Sequence, residues 1–237
     1  MKILGIESSC DDTSISIIDN NKNIIVNETI SQNQIHRDYN GVVPELAARN
    51  HVLFIDKILE RTLKKQQLRI TDIGLIAATA GPGLVGGLLV GLTFAKTLSQ
   101  VNRIPFIGVN HLEGHAMTAR LTNKVEYPFL LLLVSGGHSN FYFISDINDY
   151  KFLGGTLDDA LGEAFDKVAN ILGLDFPGGP QLELLAMKGD YKKISLPKPL
   201  INDKSLNMSF SGLKTATLNC NNEIDKNNIS RCDLAAS

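Results

Sequence analysis

The sequence predicts an α/β fold of two halves that open with the same order of elements, each with a β-sheet and helices and the second incomplete. Three observations carry this. Apolar segments from Lys2 to Val109 alternate as β-β-β-α-β-α-β, the pattern of a sheet covered by crossover helices. A strongly apolar run, Phe129–Val134, then opens a second strand–turn–strand series with little residue identity to the first. In both halves the first strand runs into a short turn of small residues: Glu7-Ser8-Ser9-Cys10-Asp11-Asp12 in one, Ser135-Gly136-Gly137-His138-Ser139 in the other.

Taken in order, Lys2–Glu7 reads as a strand, and Thr13–Asp19 as its neighbour with Ile15 and Ile17 on one face. The polar turn Asn20–Asn23 leads to a third strand, Ile24–Thr29, as in a meander. A polar loop, Ser31–Asn40, precedes a helix over Pro44–Lys65, with Pro44 suited to a first helical turn. Gly74–Thr79 is a buried strand. The helix after Gly83 runs to about Val101 and carries Gly83, Gly87 and Gly91 four apart, a stripe that lets it lie very close to another backbone. Ile104–Val109 is the next strand, and a helix bearing His111 and His115 follows. In the second half, strands are expected at Phe129–Val134, Asn140–Ile144 and around Tyr150–Gly154, then a helix over Leu157–Leu172. This order is that of the ribonuclease-H-like half of actin-type ATPases and sugar kinases. The expected architecture is therefore actin-like (ASKHA), with two ribonuclease-H-like domains, the second incomplete. The first would cover residues 1–110, with the His-bearing helix following, and the second residues 111–237.

Composition narrows the function. A hydrophobic content of 43% in 237 residues supplies ample core. The net charge of −2 excludes a global basic field, so nucleic acid would have to be met by a local patch or through a partner. Three scattered cysteines without a C-x-x-C spacing suit a reducing cytosol rather than a disulfide framework. The first apolar run meets Glu7, Asp11 and Asp12 at once, the wrong charges for a signal peptide. Ile73–Ala95 has no charged residue and is long enough to span a bilayer. Gly81-Pro82-Gly83 cuts it, and a strand followed by a buried helix explains it better. A cytoplasmic protein with no membrane segment is expected.

Two of the five histidines, His111 and His115, fall one helical turn apart just after a strand, so both imidazoles can reach one ion. An isolated H-x-x-x-H is more often a plain surface or core pair, but this one follows a strand, and ligands of α/β folds collect at the carboxyl ends of strands. The zinc-protease form is absent, because Leu112 stands where that form places its glutamate. The two hairpin turns suit phosphate, with glycine amides and hydroxyls as donors. Ser8, Ser9 and Thr13 supply hydroxyls in the first and Ser135, Gly136 and Gly137 serve in the second. Asp11 and Asp12 would repel a bare phosphate and imply a cation or a hydrogen-bonding role; Ser9 and Asp11 are the candidates of that loop. In an actin-like architecture the two turns are expected to face each other across a cleft, and Asp166, in Gly162-Glu163-Ala164-Phe165-Asp166-Lys167, is expected on a helix near it. Pro177-Gly178-Gly179-Pro180 reads as a rigid turn open to a flat ligand such as adenine. Ser209-Phe210-Ser211-Gly212-Leu213-Lys214 suits an anion, or a helix cap at Ser211.

These segments, with Gly41-Val42-Val43-Pro44-Glu45-Leu46-Ala47-Ala48-Arg49 and Ala80-Gly81-Pro82-Gly83-Leu84, closely resemble the TsaD family, formerly called glycoprotease or O-sialoglycoprotein endopeptidase. They occur in family order along the whole chain. The resemblance implies an acyltransferase that moves threonylcarbamoyl from threonylcarbamoyl-AMP to N6 of adenosine 37, in tRNAs reading codons that start with A. It implies one divalent metal, Fe2+, on His111 and His115. It implies substrate contacts at Leu133, Val134, Ser135, Gly136, Gly137, Asp166 and Gly179, with a weaker match at Glu183 for the ribose. TsaB-like and TsaE-like proteins are the implied partners. Family members continue well beyond this length, with an Asn in a nucleotide-binding Gly-Gly loop and an Asp completing the metal's ligands. The sequence therefore reads as a truncated member with a weakened metal site and uncovered apolar surface. A catalytically inactive paralogue or partner-binding subunit is the alternative. A sugar- or acetate-kinase activity ranks below both, since magnesium there is held by carboxylates rather than imidazoles.

Overall fold

Strand β1 (Lys2–Glu7) lies at the centre of a five-stranded sheet. It pairs antiparallel with β2 (Thr13–Asp19), which pairs antiparallel with β3 (Ile24–Ile30). On its other edge β1 pairs parallel with β4 (Ile73–Gly81), and β4 with β5 (Phe106–Asn110), giving the order β3-β2-β1-β4-β5. The structure is a computed structural model and describes residues 1–39, 41–224 and 230–237, so the Asn40 end of the expected polar loop lies outside the described residues. The chain divides into two compact units, Met1–Lys124 and Val125–Ser237.

In the first unit the short helix α1 (Asn33–His36) and a tight turn at Arg37–Tyr39 occupy the expected loop before helix α2 (Pro44–Lys65). Helices α3 (Val85–Asn102) and α4 (His111–Thr122) complete it. Period-2 alternation puts Leu4, Ile6, Ile15 and Ile17 in one core with Ile55, Ile58 and Leu59 of α2 and Ala95 of α3. Each fully buried Ile or Leu contributes about 1.5–3 kcal/mol relative to exposure. The glycine stripe does what its spacing predicts. A Cβ on Gly83 would stand 2.7 Å from the Ser9 carbonyl oxygen, and Cβ atoms on Gly87 and Gly91 would overlap Ser8. Backbone contact with the turn after β1 is possible only because these side chains are missing. Strand β5 begins two residues later than expected, since Pro105 lacks the N–H a ladder needs, although its carbonyl accepts from Ile76. Helix α4 packs on β5 and β4 in this unit, whereas the expected division fell before it.

The second unit holds a three-stranded antiparallel sheet, β6 (Phe129–Val134), β7 (Ser139–Asp146) and β8 (Asp149–Gly155), in that order. Helices α5 (Leu161–Ile171), α6 (Gly178–Ala186), α7 (Ser211–Glu223) and α8 (Arg231–Ala236) follow. Ala169, Leu172, Leu182 and Leu234 form the centre of a helical core. On β6, Leu133 is buried while Leu130 and Leu132 are exposed, the alternation of a strand covered on one face. Helix α5 starts four residues later than expected. Thr156 bridges to Met208, the Leu157 amide donates to the Met208 carbonyl, and the Thr156 hydroxyl donates to the Asp159 carbonyl, so this stretch is held as a turn outside the helix. The expected rigid turn Pro177–Pro180 is instead the opening of α6, with Gly178 its first residue. Among the described residues no helix is long and apolar enough to cross a membrane, and the Ile73–Ala95 run is split into β4 and α3.

Candidate functional site

The histidine pair is built by the junction of β5 and α4. The Asn110 side chain caps the helix, its Oδ1 accepting from the Leu112 and Glu113 amides at 2.9 and 3.3 Å. The helix therefore begins at His111, and His115 stands one turn on. Their rings meet edge to face at 4.4 Å, and the two Nε2 atoms are 3.1 Å apart. With metal–nitrogen bonds of about 2.0–2.1 Å, neighbouring ligands on one ion lie about 3.0–3.4 Å apart, so the pair fits two positions of a first-row metal. Among the described residues no group of three or more His, Cys, Asp and Glu side chains is placed to hold a metal.

Behind His111 stands Glu7, which reads in the sequence as the end of a strand and the start of the first turn, without a role at the site. Its Oε2 is 3.2 Å from His111 Nδ1, and the Ser9 hydroxyl lies equally close to that nitrogen. The Ser9 amide and the Thr79 hydroxyl also donate to the carboxylate. Burial pushes the Glu7 carboxyl up, but hydrogen bonds from His111, Ser9 and Thr79 outweigh it and hold the group at about 2. It is an anion at neutral pH.

The first turn differs from the expected phosphate grip. Ser8, Ser9 and Thr13 are buried and their hydroxyls have partners inside the unit. Ser8 Oγ donates to the Gly87 carbonyl at 2.9 Å, Ser9 Oγ faces His111, and Thr13 Oγ1 lies 2.8 Å from Nδ1 of the buried His51. His51 Nε2 donates to the Cys10 carbonyl at 3.0 Å and so ties α2 to the turn. Asp11 is partly exposed and Asp12 exposed in the same turn. Cys10 is exposed, but desolvation by the surrounding turn and the neighbouring Asp11 push its thiol up to about 12.

In the second unit one helix aligns three of the predicted motifs. Ser139 Oγ accepts from the Leu161 amide at the start of α5. There Gly162 abuts the turn after β6: a Cβ on it would stand 2.8 Å from the Ser135 carbonyl oxygen and 2.9 Å from Gly136 Cα. Further along, Asp166 Oδ1 accepts from the Gly178 amide at 2.8 Å, joining Asp166 to the start of α6, which carries Gly179 and the exposed Glu183. Lys167 is held by Asp159 and Glu163 at 2.6 and 2.7 Å. In the turn, Ser135 Oγ accepts from the Gly137 and His138 amides, and the Ser135 amide donates to the His138 carbonyl. Cβ atoms on Gly136 or Gly137 would meet nothing within 4 Å, so protein packing makes no demand for glycine there. Leu133 and Val134 lead into this turn along β6, the first buried and the second exposed.

Asp158 was not foreseen. Its Oδ1 accepts from the Phe210 and Ser211 amides at 2.7 and 3.2 Å, and its Oδ2 from the Ser209 and Ser211 hydroxyls at 2.5 and 2.8 Å. It caps α7 in place of Ser211, whose hydroxyl is a donor to it. Burial raises the Asp158 carboxyl, and the four donors drive it well below the usual carboxylate range. Ser209–Lys214 is thus a helix start already supplied with an anion, and that anion belongs to the protein.

A family model described as tRNA N6-adenosine threonylcarbamoyltransferase, TsaD, matches residues 23–237. A protein of that name from Rickettsia rickettsii (strain Sheila Smith) is 58% identical over 216 residues, covering 91% of this chain and 63% of the relative. Its namesake from Rickettsia akari (strain Hartford) is 53% identical over 233 residues, covering 98% of this chain and 60% of the relative. This chain thus spans less than two thirds of the length of these relatives. Among solved structures, component A of the Acidaminococcus fermentans (R)-2-hydroxyglutaryl-CoA dehydratase matches with a TM-score of 0.59 at 14% identity, covering 99% of this chain and 72% of that one. The activator of the Clostridium difficile 2-hydroxyisocaproyl-CoA dehydratase matches with a TM-score of 0.51, also at 14% identity, over 99% and 69%. These likenesses bear on the fold alone, a mixed α/β fold of the actin-like (ASKHA) type.

Proposed function

This chain belongs to the tRNA N6-adenosine threonylcarbamoyltransferase (TsaD) family, and we propose that it serves the transfer of threonylcarbamoyl from threonylcarbamoyl-AMP to N6 of adenosine 37 in tRNA. One observation in the fold supports the chemistry: the His111 and His115 Nε2 atoms, 3.1 Å apart, have the spacing of neighbouring ligands on a single ion. Two imidazoles suit a first-row transition metal, and Fe2+ is the ion proposed. When bound, such an ion supplies Lewis acidity and a template for the substrate's charged groups.

The adenylate is a mixed anhydride, already activated. In the transfer a bond forms between adenine N6 and the carbamoyl carbon. The bond from that carbon to the AMP phosphate oxygen breaks, and the amine loses a proton. The residues of the chain bind, orient and exclude water, the contributions that matter most when the leaving group is already good. Leu133–Gly137 are proposed to receive the acyl phosphate: the open space over Gly136 and Gly137 lets a ligand approach the backbone closely. Asp166 and Gly179, joined through the Gly178 amide, are proposed to bound the nucleoside side, with Glu183 on the ribose. Of the two phosphate-loop candidates, Ser9 is proposed to support His111 instead, and the partly exposed Asp11 is kept as a proposed contact on the phosphate side. TsaB-like and TsaE-like proteins are proposed partners, and tRNA is proposed to be held largely by the assembly, in the cytoplasm, since net charge is −2.

The test is mass detection of threonylcarbamoyladenosine in tRNA incubated with this chain, its partners and threonylcarbamoyl-AMP. Product with the unaltered chain and its loss in a His111→Ala, His115→Ala double variant are expected. Unchanged transfer by the double variant would remove the metal from the mechanism, and no product with the unaltered chain would overturn the reading.

A further inference from the structure

We infer that Glu7 is a positioning residue that fixes the tautomer of His111 and so presents the Nε2 lone pair of that histidine to the metal. The inference rests on the metal role proposed above for the histidine pair. Its geometry lies wholly within the first unit.

A carboxylate is an acceptor only, so a neutral imidazole whose Nδ1 lies 3.2 Å from Glu7 Oε2 must carry its proton on Nδ1. The lone pair is then on Nε2, the atom that faces His115. Glu7 cannot easily turn away. It ends β1, and its two oxygens are fixed by the Ser9 amide and by the Thr79 hydroxyl from β4. The orientation of the imidazole is thus set by two adjacent strands of the central sheet rather than by its own helix. The same reasoning fixes the partner ring. With the His111 Nε2 lone pair accepting, His115 Nε2 is the donor across the 3.1 Å contact. The chain of donors therefore runs from His115 through His111 to Glu7. Metal binding would require only His115 to move its proton to the other ring nitrogen; His111 is already in the ligating tautomer. Carboxylate–histidine–metal arrangements of this kind raise ligand basicity and hold the ring, and loss of such a partner typically lowers metal affinity 10- to 100-fold.

Long-range 1H–15N NMR of the 15N-labelled chain without metal reads the tautomer of each ring directly. His111 is expected as the Nδ1–H form and His115 as the Nε2–H form. In Glu7→Leu, His111 should shift toward the Nε2–H form, whereas Glu7→Gln, which keeps an acceptor oxygen, should retain Nδ1–H. In parallel, Co2+ titration followed by visible absorption should show Glu7→Leu binding 10- to 100-fold more weakly than the unaltered chain, with Glu7→Gln between them. An Nε2–H form of His111 in the unaltered chain overturns the inference, and so do equal Co2+ affinities and tautomers in all three proteins. Should the unaltered chain bind no Co2+, the proposed metal site fails, while the tautomer measurement still decides what Glu7 does. That measurement needs only the unaltered chain, so misfolding of a variant leaves it decisive.

Discussion

Two glycine-to-alanine substitutions in the first unit should move stability in opposite directions, and they test how the candidate site is held. Gly87 lies inside α3, where an alanine gains about 1 kcal/mol of helix propensity. Its new Cβ, however, would overlap the Ser8 backbone carbonyl and stand 3.2 Å from His51 Nε2. Neither neighbour can swing aside. Ser8 is part of the turn after β1, and His51 is buried and hydrogen-bonded to Cys10 and Thr13. Helix α3 must back off, losing the Ser8 Oγ bond to the Gly87 carbonyl as well. Overpacking costs about 1–3 kcal/mol, and a clash with backbone belongs near the upper end. The lost hydrogen bond adds about 1 kcal/mol. After the propensity gain, Gly87→Ala should destabilise by about 2–3 kcal/mol. Gly114 in α4 is the control, because a Cβ there meets nothing within 4 Å. Gly114→Ala should stabilise by about 0.5–1 kcal/mol. The chain has no tryptophan, so urea unfolding is best followed by far-UV circular dichroism, with backbone amide exchange in α3 assigning the change to the first unit. A Gly87→Ala midpoint at or above that of the unaltered chain would refute the close packing of α3 on the turn.

Asp158→Ala removes the acceptor of four hydrogen bonds at the start of α7 and should cost about 1–2 kcal/mol, the range of a lost cap. Faster amide exchange at Phe210 and Ser211 is the measurement, with the three-stranded sheet unaffected. Acid should destabilise the second unit through Asp233. Its carboxyl accepts from the Asp190 amide, from Ser230 and from Lys193, and is held well below its ordinary 3.8. A carboxyl depressed in the folded state gives its full stabilisation above the unfolded value and loses it as pH falls from there through the folded value. Stability should therefore decline below about pH 4, and Asp233→Asn should flatten that decline in a pH series of urea midpoints.

Much of the fold was legible because its signals are local. Alternation in Leu4, Ile6, Ile15 and Ile17, Pro44 at a helix start, and an uncharged run cut by Gly81-Pro82-Gly83 each specify an element without reference to the rest of the chain. The His pair was legible for the same reason, as an i, i+4 relation within one helix. What was missed depends on contacts distant in sequence. Glu7 meets His111 across 104 positions, and Asp158 meets Ser209 across 51. In the sequence each is merely an acidic residue at the end of a strand or in a turn. The late start of α5 has the same origin, since Leu157 is drawn into pairing by Met208, far along the chain. Local propensity cannot see that competition.

The two hairpin turns sharpen the point. Both follow an apolar strand and both are made of small residues, so their composition suggested one role, gripping phosphate. Their surroundings separate them. Around the first turn the small residues face inward: Ser8 and Ser9 are buried against α3, their hydroxyls spent on Gly87 and His111. Smallness there serves close packing and the support of a histidine. In the second turn Gly136 and Gly137 have open space where side chains would stand, and the glycine that packing does require is Gly162, on the helix behind. A glycine that the protein's own packing does not need leaves its backbone open to close approach, whereas a serine whose hydroxyl is already bonded within the protein has that donor spent. Equivalent positions in the repeat therefore carry different work. The first turn packs against α3 and holds His111, and the second leaves open space over Gly136 and Gly137.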